Sequence, residues 1–308
     1  MSIKRTITRV IIRGALSFIS DEMFIKSVLK GRDFEDGQMR ETQYQAPEGY
    51  RYEQIIENHA NLEIFRKKGN YPNKVIYMLH GGAYTQSLKD SHIGMMKAYV
   101  DYCGCDVYAL DYRVAPKNPY PAALDDAVAG YKVLLNRGWN PEDIIVAGDS
   151  AGGGLAMALG LKLKDMGMKI PETFILASPW VDLTPCEYTK DQRKQDMVFG
   201  CNHVLDKCAA GYVGNYSYDE PYISPIYGDM KGFTNMYVTY SKGELLSYAG
   251  KTFIDQLMNA GVNVVYEELD NGLHDIIAIG AKSDAAKDAW KRIGNYVKSQ
   301  STDKSAIA

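Results

Sequence analysis

A chain of 308 residues, 46% apolar and 24% charged, can bury a large core and has the make-up of an ordinary globular protein. Its net charge of −3 supplies no basic surface for nucleic acid, so no nucleic-acid partner is expected. No apolar run reaches the roughly 18 residues that cross a bilayer, and Cys103, Cys105, Cys186, Cys201 and Cys208 form neither a disulfide framework nor a zinc-ligand pattern, which points to reduced thiols, a cytoplasmic location and no metal.

Residues 1–45 carry apolar positions such as Ile3, Ile7, Val10, Ile11, Phe24 and Val28 at roughly helical spacing, with breaks at Gly14 and Ser20-Asp21. They read as two short amphipathic helices packed on the protein. Arg9 and Arg13 interrupt the first apolar run, so it is read as mature protein rather than a signal peptide. From Tyr44 to Gly49 the chain is polar and proline-punctuated, placing a boundary between segment 1–46 and a main domain over 47–308.

Arg51–Glu57 and Ala60–Arg66 read as a hairpin, and Val75–Leu79 as a continuous apolar strand buried on both faces. That strand ends at His80-Gly81-Gly82-Ala83-Tyr84, and helix-like sequence follows through Val100. Val107–Leu110 is a strand, and Ala122–Asn136 a helix with Pro121 at its first turn. Asp143–Ala147 is a β-branched strand, Gly154–Asp165 an amphipathic helix, and Gly148-Asp149-Ser150-Ala151-Gly152-Gly153 joins them. Phe174–Ala177, Met236–Tyr240 and Val264–Tyr266 are further strands, with helices over 245–260 and 283–298. Strands alternating with helices predict one mostly parallel sheet covered on both faces. The stretch from Pro185 to Pro225 breaks this rhythm. It is aromatic, poor in strand signal and helical only around His203–Tyr212, as in a lid or a decorated loop.

Gly148-x-Ser150-x-Gly152 lies between a strand and a helix, the setting of a nucleophile elbow. An abrupt strand-to-helix turn projects its apex hydroxyl, and the helix N-terminus behind it favours developing negative charge. Acyl transfer by serine also needs a base, an acid to orient it and donors for the oxyanion. Of the histidines at 59, 80, 92, 203 and 274, only His274 sits on a loop after the last predicted strand, at the C-terminal end of the sheet. In the loop after Met236–Tyr240 the only carboxylate is Glu244, which is favoured as the acid over Asp270 and Asp275. Gly81, Gly82 and Ala151 offer backbone N–H groups for the oxyanion.

Several stretches carry a wider likeness: HGGAY at 80–84, DYRVAP at 111–116, YPAALDD at 120–126, GDSAGG at 148–153, SPWVDLT at 178–184, PYISPIYGD at 221–229, and the GELL and LHD segments. Together and in this order the sequence resembles the α/β-hydrolases of the hormone-sensitive-lipase-like group, microbial esterases with an HGG oxyanion motif. The resemblance implies an α/β-hydrolase fold with a helical cap built from segment 1–46 and an insertion at about 186–220. It assigns Ser150 as nucleophile, His274 as base and acid, Glu244 as orienting carboxylate, and Gly81, Gly82 and Ala151 as oxyanion donors. Two departures stand out. Ala83 replaces the third glycine of the usual motif. Asp275-Ile276 replaces the Gly-Phe that commonly follows the histidine, which puts a carboxylate near the base and is expected to raise its pKa.

The resulting expectation is a serine carboxylesterase for short-chain acyl esters, needing no cofactor, with an edge-strand homodimer allowed at the family level. Tyr84, Trp180 and Phe199 are expected at the substrate pocket, with Tyr212, Tyr216, Tyr218 and Tyr222 in its wall. Amide hydrolysis or deacetylation by the same triad is the neighbouring reading. A silent ligand receptor is the reading from another class, but such proteins typically lack a triad member.

Overall fold

The structure is a computed structural model and describes residues 39–196, 198, 199, 203–270 and 274–302. The two helices expected within residues 1–45 lie largely outside that range, and residues 39–47 carry no regular secondary structure. Eight strands form one sheet: β1 (Tyr50–Glu57), β2 (Ala60–Lys67), β3 (Val75–Leu79), β4 (Asp106–Leu110), β5 (Ile144–Asp149), β6 (Thr173–Ala177), β7 (Asn235–Ser241) and β8 (Asn263–Leu269). Their spatial order is β1-β2-β4-β3-β5-β6-β7-β8. The β1–β2 hairpin is antiparallel and β2 joins β4 antiparallel, while every later pairing is parallel.

The continuous apolar runs of β3 and β5 have a direct cause in the layers around them. Val75, Tyr77 and Leu79 face one core, shared with helices α2 (Ala122–Asn136), α3 (Ala151–Asp165) and α6 (Leu246–Asn259). Ile76 and Met78 face the other, shared with α1 (Asp90–Cys103) and α7 (Asp284–Thr302). With helices on both faces, alternation between apolar and polar positions disappears. The insertion holds α5 (Val204–Val213) and a short α4 (Lys190–Gln195), the latter started by a reciprocal capping box between Thr189 and Gln192.

Register decides where the loops meet. Leu79 pairs with Gly148, Asp149 with Ala177, Ala177 with Thr239, and Ser241 with Leu269. The segments that follow β3, β5, β6, β7 and β8 therefore emerge side by side at the C-terminal edge, where open α/β sheets bind ligands. Close approach there needs glycine. A Cβ on Gly152 would run into the carbonyls of Leu79 and His80, and one on Gly148 into the backbone of Gly152.

Candidate active site

Ser150 occupies the turn between β5 and α3 at φ 52° and ψ −120°, a strained conformation for a residue with a side chain. Two of its backbone bonds tie it to the end of β6 and the segment after it: its N–H donates to the Ala177 carbonyl (2.8 Å), and its own carbonyl accepts from the Trp180 N–H (2.8 Å). Helix α3 begins at Ala151, directly after the serine, rather than at Gly154 as the composition suggested. Packing of glycines 152–154 against β3, Pro179 and Trp180 overrides their poor helix propensity.

His274, on the segment after β8, has Nε2 2.9 Å from Ser150 Oγ and Nδ1 2.6 Å from Glu244 Oε2. Glu244, in the turn between β7 and α6, is 3% exposed. Its other oxygen accepts from the Ser178 hydroxyl (2.7 Å) and the Ser241 N–H (2.7 Å). A carboxylate on Nδ1 fixes the imidazole with its proton there, leaving Nε2 to accept from the serine. Burial alone pulls the His274 pKa down. The charge and hydrogen bond of Glu244, with Asp196 and Asp149 behind it, outweigh burial and raise it above the usual imidazole value.

Asp275 does not play the part expected of it. Glu244 is the main group that raises His274, while Asp275 is itself buried and pushed far above the carboxylate range by burial and by Asp149. The oxyanion loop also differs from expectation. The N–H of Gly81 donates to Asp149 Oδ1 at 2.9 Å and is thereby engaged. Among the described residues, the N–H groups of Gly82, Ala83 and Ala151 have no acceptor, and Gly82 and Ala83 line a pocket beside Ser150. Ala83, next on that loop, has φ 53°.

That pocket, about 280 Å³, is shared by Ser150, His274 and Phe199, with Val204, Gln86 and His92 around them. The Phe199 ring meets the His274 ring edge-on at 4.8 Å. Asp196 anchors this part of the insertion: one oxygen accepts the N–H groups of Val198 and Phe199 (2.7 Å each), the other that of Leu245 (2.8 Å). Tyr84 and Trp180 lie elsewhere, 1% and 4% exposed, in the core behind the elbow. Tyr84 stacks on Tyr212 at 3.8 Å, so both rings serve packing and neither lines this pocket. Tyr216, Tyr218 and Tyr222 are likewise absent from its lining. His80 is fully buried, stacked on Tyr112 at 4.1 Å and held well below the usual imidazole pKa by burial. His203 is exposed beside Asp206.

Sequence reading missed Ser178 and Asp196. The only signal for Ser178 is a hydroxyl residue directly after a strand that the sheet order sets next to β7. Among the described residues, no group of three or more His, Cys, Asp or Glu is placed to hold a metal, and no helix is long and apolar enough to cross a membrane. A buried carboxylate, an imidazole and a hydroxyl in hydrogen-bonded series, next to unengaged N–H groups, form an arrangement able to carry out acyl transfer.

A family model described as alpha/beta hydrolase fold matches residues 76–278. The chain is 33% identical over 220 residues to an acetyl-hydrolase of Streptomyces hygroscopicus, covering 71% of this chain and 73% of that one. Among solved structures it is similar to EstE5 soaked with p-nitrophenyl butyrate, with a TM-score of 0.83 and 26% identity over 97% of this chain and 99% of the other. It is also similar to an esterase from the bacterial hormone-sensitive lipase family, with a TM-score of 0.78 and 27% identity over 91% and 97% of the two chains.

Proposed function

The chain belongs to the alpha/beta-hydrolase family, among the esterases related to hormone-sensitive lipase, and is a carboxylic ester hydrolase; on that basis we propose that it hydrolyses short-chain acyl esters through Ser150, His274 and Glu244. The observation that carries the reading is the pair of contacts on one imidazole, 2.9 Å to Ser150 Oγ and 2.6 Å to Glu244 Oε2.

In the first half-reaction Ser150 Oγ attacks the ester carbonyl while its proton passes to His274 Nε2. Glu244 holds the Nδ1–H and stabilises the imidazolium that forms. Charge on the carbonyl oxygen is taken up by N–H groups from Gly82, Ala83 and Ala151, and removing one such donor typically costs about 100- to 1000-fold in rate. Collapse of the intermediate releases the alcohol with the proton from His274. A water molecule then gives a proton to the same Nε2 and attacks the acyl-serine; as this second intermediate collapses, the proton passes from Nε2 to Ser150 Oγ and the carboxylic acid leaves.

Short acyl groups fit the small pocket, where Phe199 and Val204 supply apolar wall. The acetyl-hydrolase among the relatives and the butyrate ester soaked into EstE5 support the same size class.

The test is Ser150→Ala. Turnover of p-nitrophenyl acetate and butyrate, and labelling by a fluorophosphonate probe, should both vanish while circular dichroism stays unchanged. Turnover that survives in this variant sinks the proposed nucleophile. In the parent, rates should fall from butyrate to decanoate, and matched amides should be poorer substrates than esters; a decanoate optimum contradicts the short-chain reading.

A further inference from the structure

One side chain fastens the insertion to the turn that carries Glu244. Asp196 follows α4 and is 2% exposed. One of its oxygens accepts the N–H groups of Val198 and Phe199 at 2.7 Å each, and the other accepts the N–H of Leu245 at 2.8 Å. Leu245 directly follows Glu244 and precedes α6. A second contact joins the same two segments: a Cβ on Gly243, at φ 81° or less, would press on Gln195, since it would lie 3.0 Å from Oε1 and 3.1 Å from Cβ of that residue. On the insertion side, Phe199 lines the pocket and meets the His274 ring at 4.8 Å.

A buried carboxylate without a cation is costly unless hydrogen bonds satisfy it. Among the described residues Asp196 has no cation as a partner, and three backbone N–H groups surround it instead. Packing alone calls for no charge at this position. What the position does call for is an acceptor facing each of two segments. A carboxylate supplies both, whereas the amide of the same shape has one acceptor oxygen and one donor NH2 group.

We propose that Asp196 is a positioning residue for the hydrolysis: its carboxylate clamps the insertion onto the Glu244 turn, which seats Phe199 beside His274 as pocket wall and holds the acid in line with Nδ1. This assignment rests on the catalytic roles given above to Ser150, His274 and Glu244. The size of the acyl site and the alignment of the triad then depend on one side chain. Without the bridge, the segment bearing Phe199 moves off the imidazole and the pocket opens to longer chains. The turn carrying the acid loses one of the bonds that fix it.

Asp196→Asn isolates the bridge. Its single acceptor oxygen stays with the N–H groups of Val198 and Phe199, so its NH2 group faces the Leu245 N–H, donor against donor. On p-nitrophenyl butyrate this variant should lower kcat roughly ten-fold, the size of one lost hydrogen bond to a charged group. The butyrate-to-decanoate ratio of kcat/KM should fall by about ten-fold as well. Gly243→Ala presses on the Gln195 contact from the other segment and should move the ratio in the same direction. In a Ser150→Ala background, hydrogen exchange at the Leu245 amide should be faster in Asp196→Asn than in its parent. A merely structural role would lower the thermal midpoint and leave the chain-length ratio alone. An unchanged kcat, an unchanged ratio or unaltered Leu245 exchange in Asp196→Asn each overturns the proposal; should that variant not fold, an unchanged ratio in Gly243→Ala does the same. Because the exchange is read without turnover, failure of the esterase reading and failure of this one register separately.

Discussion

The Ser178 hydroxyl donates to Glu244 Oε1 at 2.7 Å, on the oxygen that does not face His274. Together with the Ser241 N–H it fixes the carboxylate plane, so that Oε2 is aimed at Nδ1. Hydrogen bonds to charged groups contribute about 1.5–3 kcal/mol. Ser178→Ala is therefore expected to reduce kcat by roughly ten-fold or somewhat more, with KM changed little. Steady-state kinetics on p-nitrophenyl butyrate give the answer, and an unchanged kcat would assign Ser178 to packing alone.

In the proposed mechanism Glu244 sets the working pH range. His274 must be neutral to accept the serine proton, and its pKa lies above the ordinary 6.5 because Glu244 outweighs burial. The acid limb of kcat/KM should accordingly fall above that value. In Glu244→Gln the effect of burial is no longer opposed by that charge, so the limb moves to lower pH while kcat falls by about 10³- to 10⁴-fold. The stability linkage has a definite sign. A raised histidine pKa stabilises the fold below the unfolded value and loses that contribution as pH rises through the folded one. Thermal unfolding from neutral to alkaline pH should show this decline in the parent and less of it in Glu244→Gln.

Much of the frame was legible in the chain because buried parallel strands leave continuous apolar runs, as at β3 and β5, and because Ser150 lies between such a run and a helix. The positions of His274 and Glu244 after successive strands could be read the same way. Ser178 and Asp196 could not, since their contacts with Glu244 and Leu245 depend on which strand lies beside which. Helix α4 is polar throughout and carries no apolar period to detect. The backbone of Gly81 alone suggests a donor role, whereas its N–H is taken by a side chain 68 positions along the chain. Tyr84 and Trp180 are aromatic residues next to motifs, but their rings pack into the core behind the elbow.

Gly82, on the loop of proposed oxyanion donors, leaves no room for a side chain. It has φ 122°, and a Cβ there would lie 2.7 Å from Gln86 Cβ and 3.1 Å from the Gln86 carbonyl oxygen. Gly82→Ala must therefore displace the loop that carries two of the proposed donors. A fall in kcat of about 100- to 1000-fold is expected, with a smaller effect on KM. Fluorophosphonate labelling should slow as well, because the tetrahedral adduct uses the same donors. Full labelling speed would detach Gly82 from the oxyanion role.

Away from the site, Arg40 and Glu63 form a buried ion pair, 5% and 0% exposed, that fastens residues 39–45 to β2. The guanidinium spans Glu63 on β2, at 2.9 Å from Nη2 to Oε2, and Asp90 at the start of α1, at 2.5 Å from Nη1 to Oδ1. Gln54 donates to both Glu63 Oε1 and the Arg40 carbonyl, at 3.1 Å each. Removing the cation alone leaves Glu63 charged inside the sheet layer, a loss of about 3–5 kcal/mol for buried pairs of this kind. Arg40→Met should thus lower the urea midpoint markedly. Arg40→Met combined with Glu63→Leu removes both charges, and since apolar replacement of a buried pair is often neutral, it should regain most of the midpoint. Equal destabilisation in the single and double variants would mean that segment 39–45 is held by its packing, through Tyr44 against Tyr52 and Phe65, and not by the ion pair.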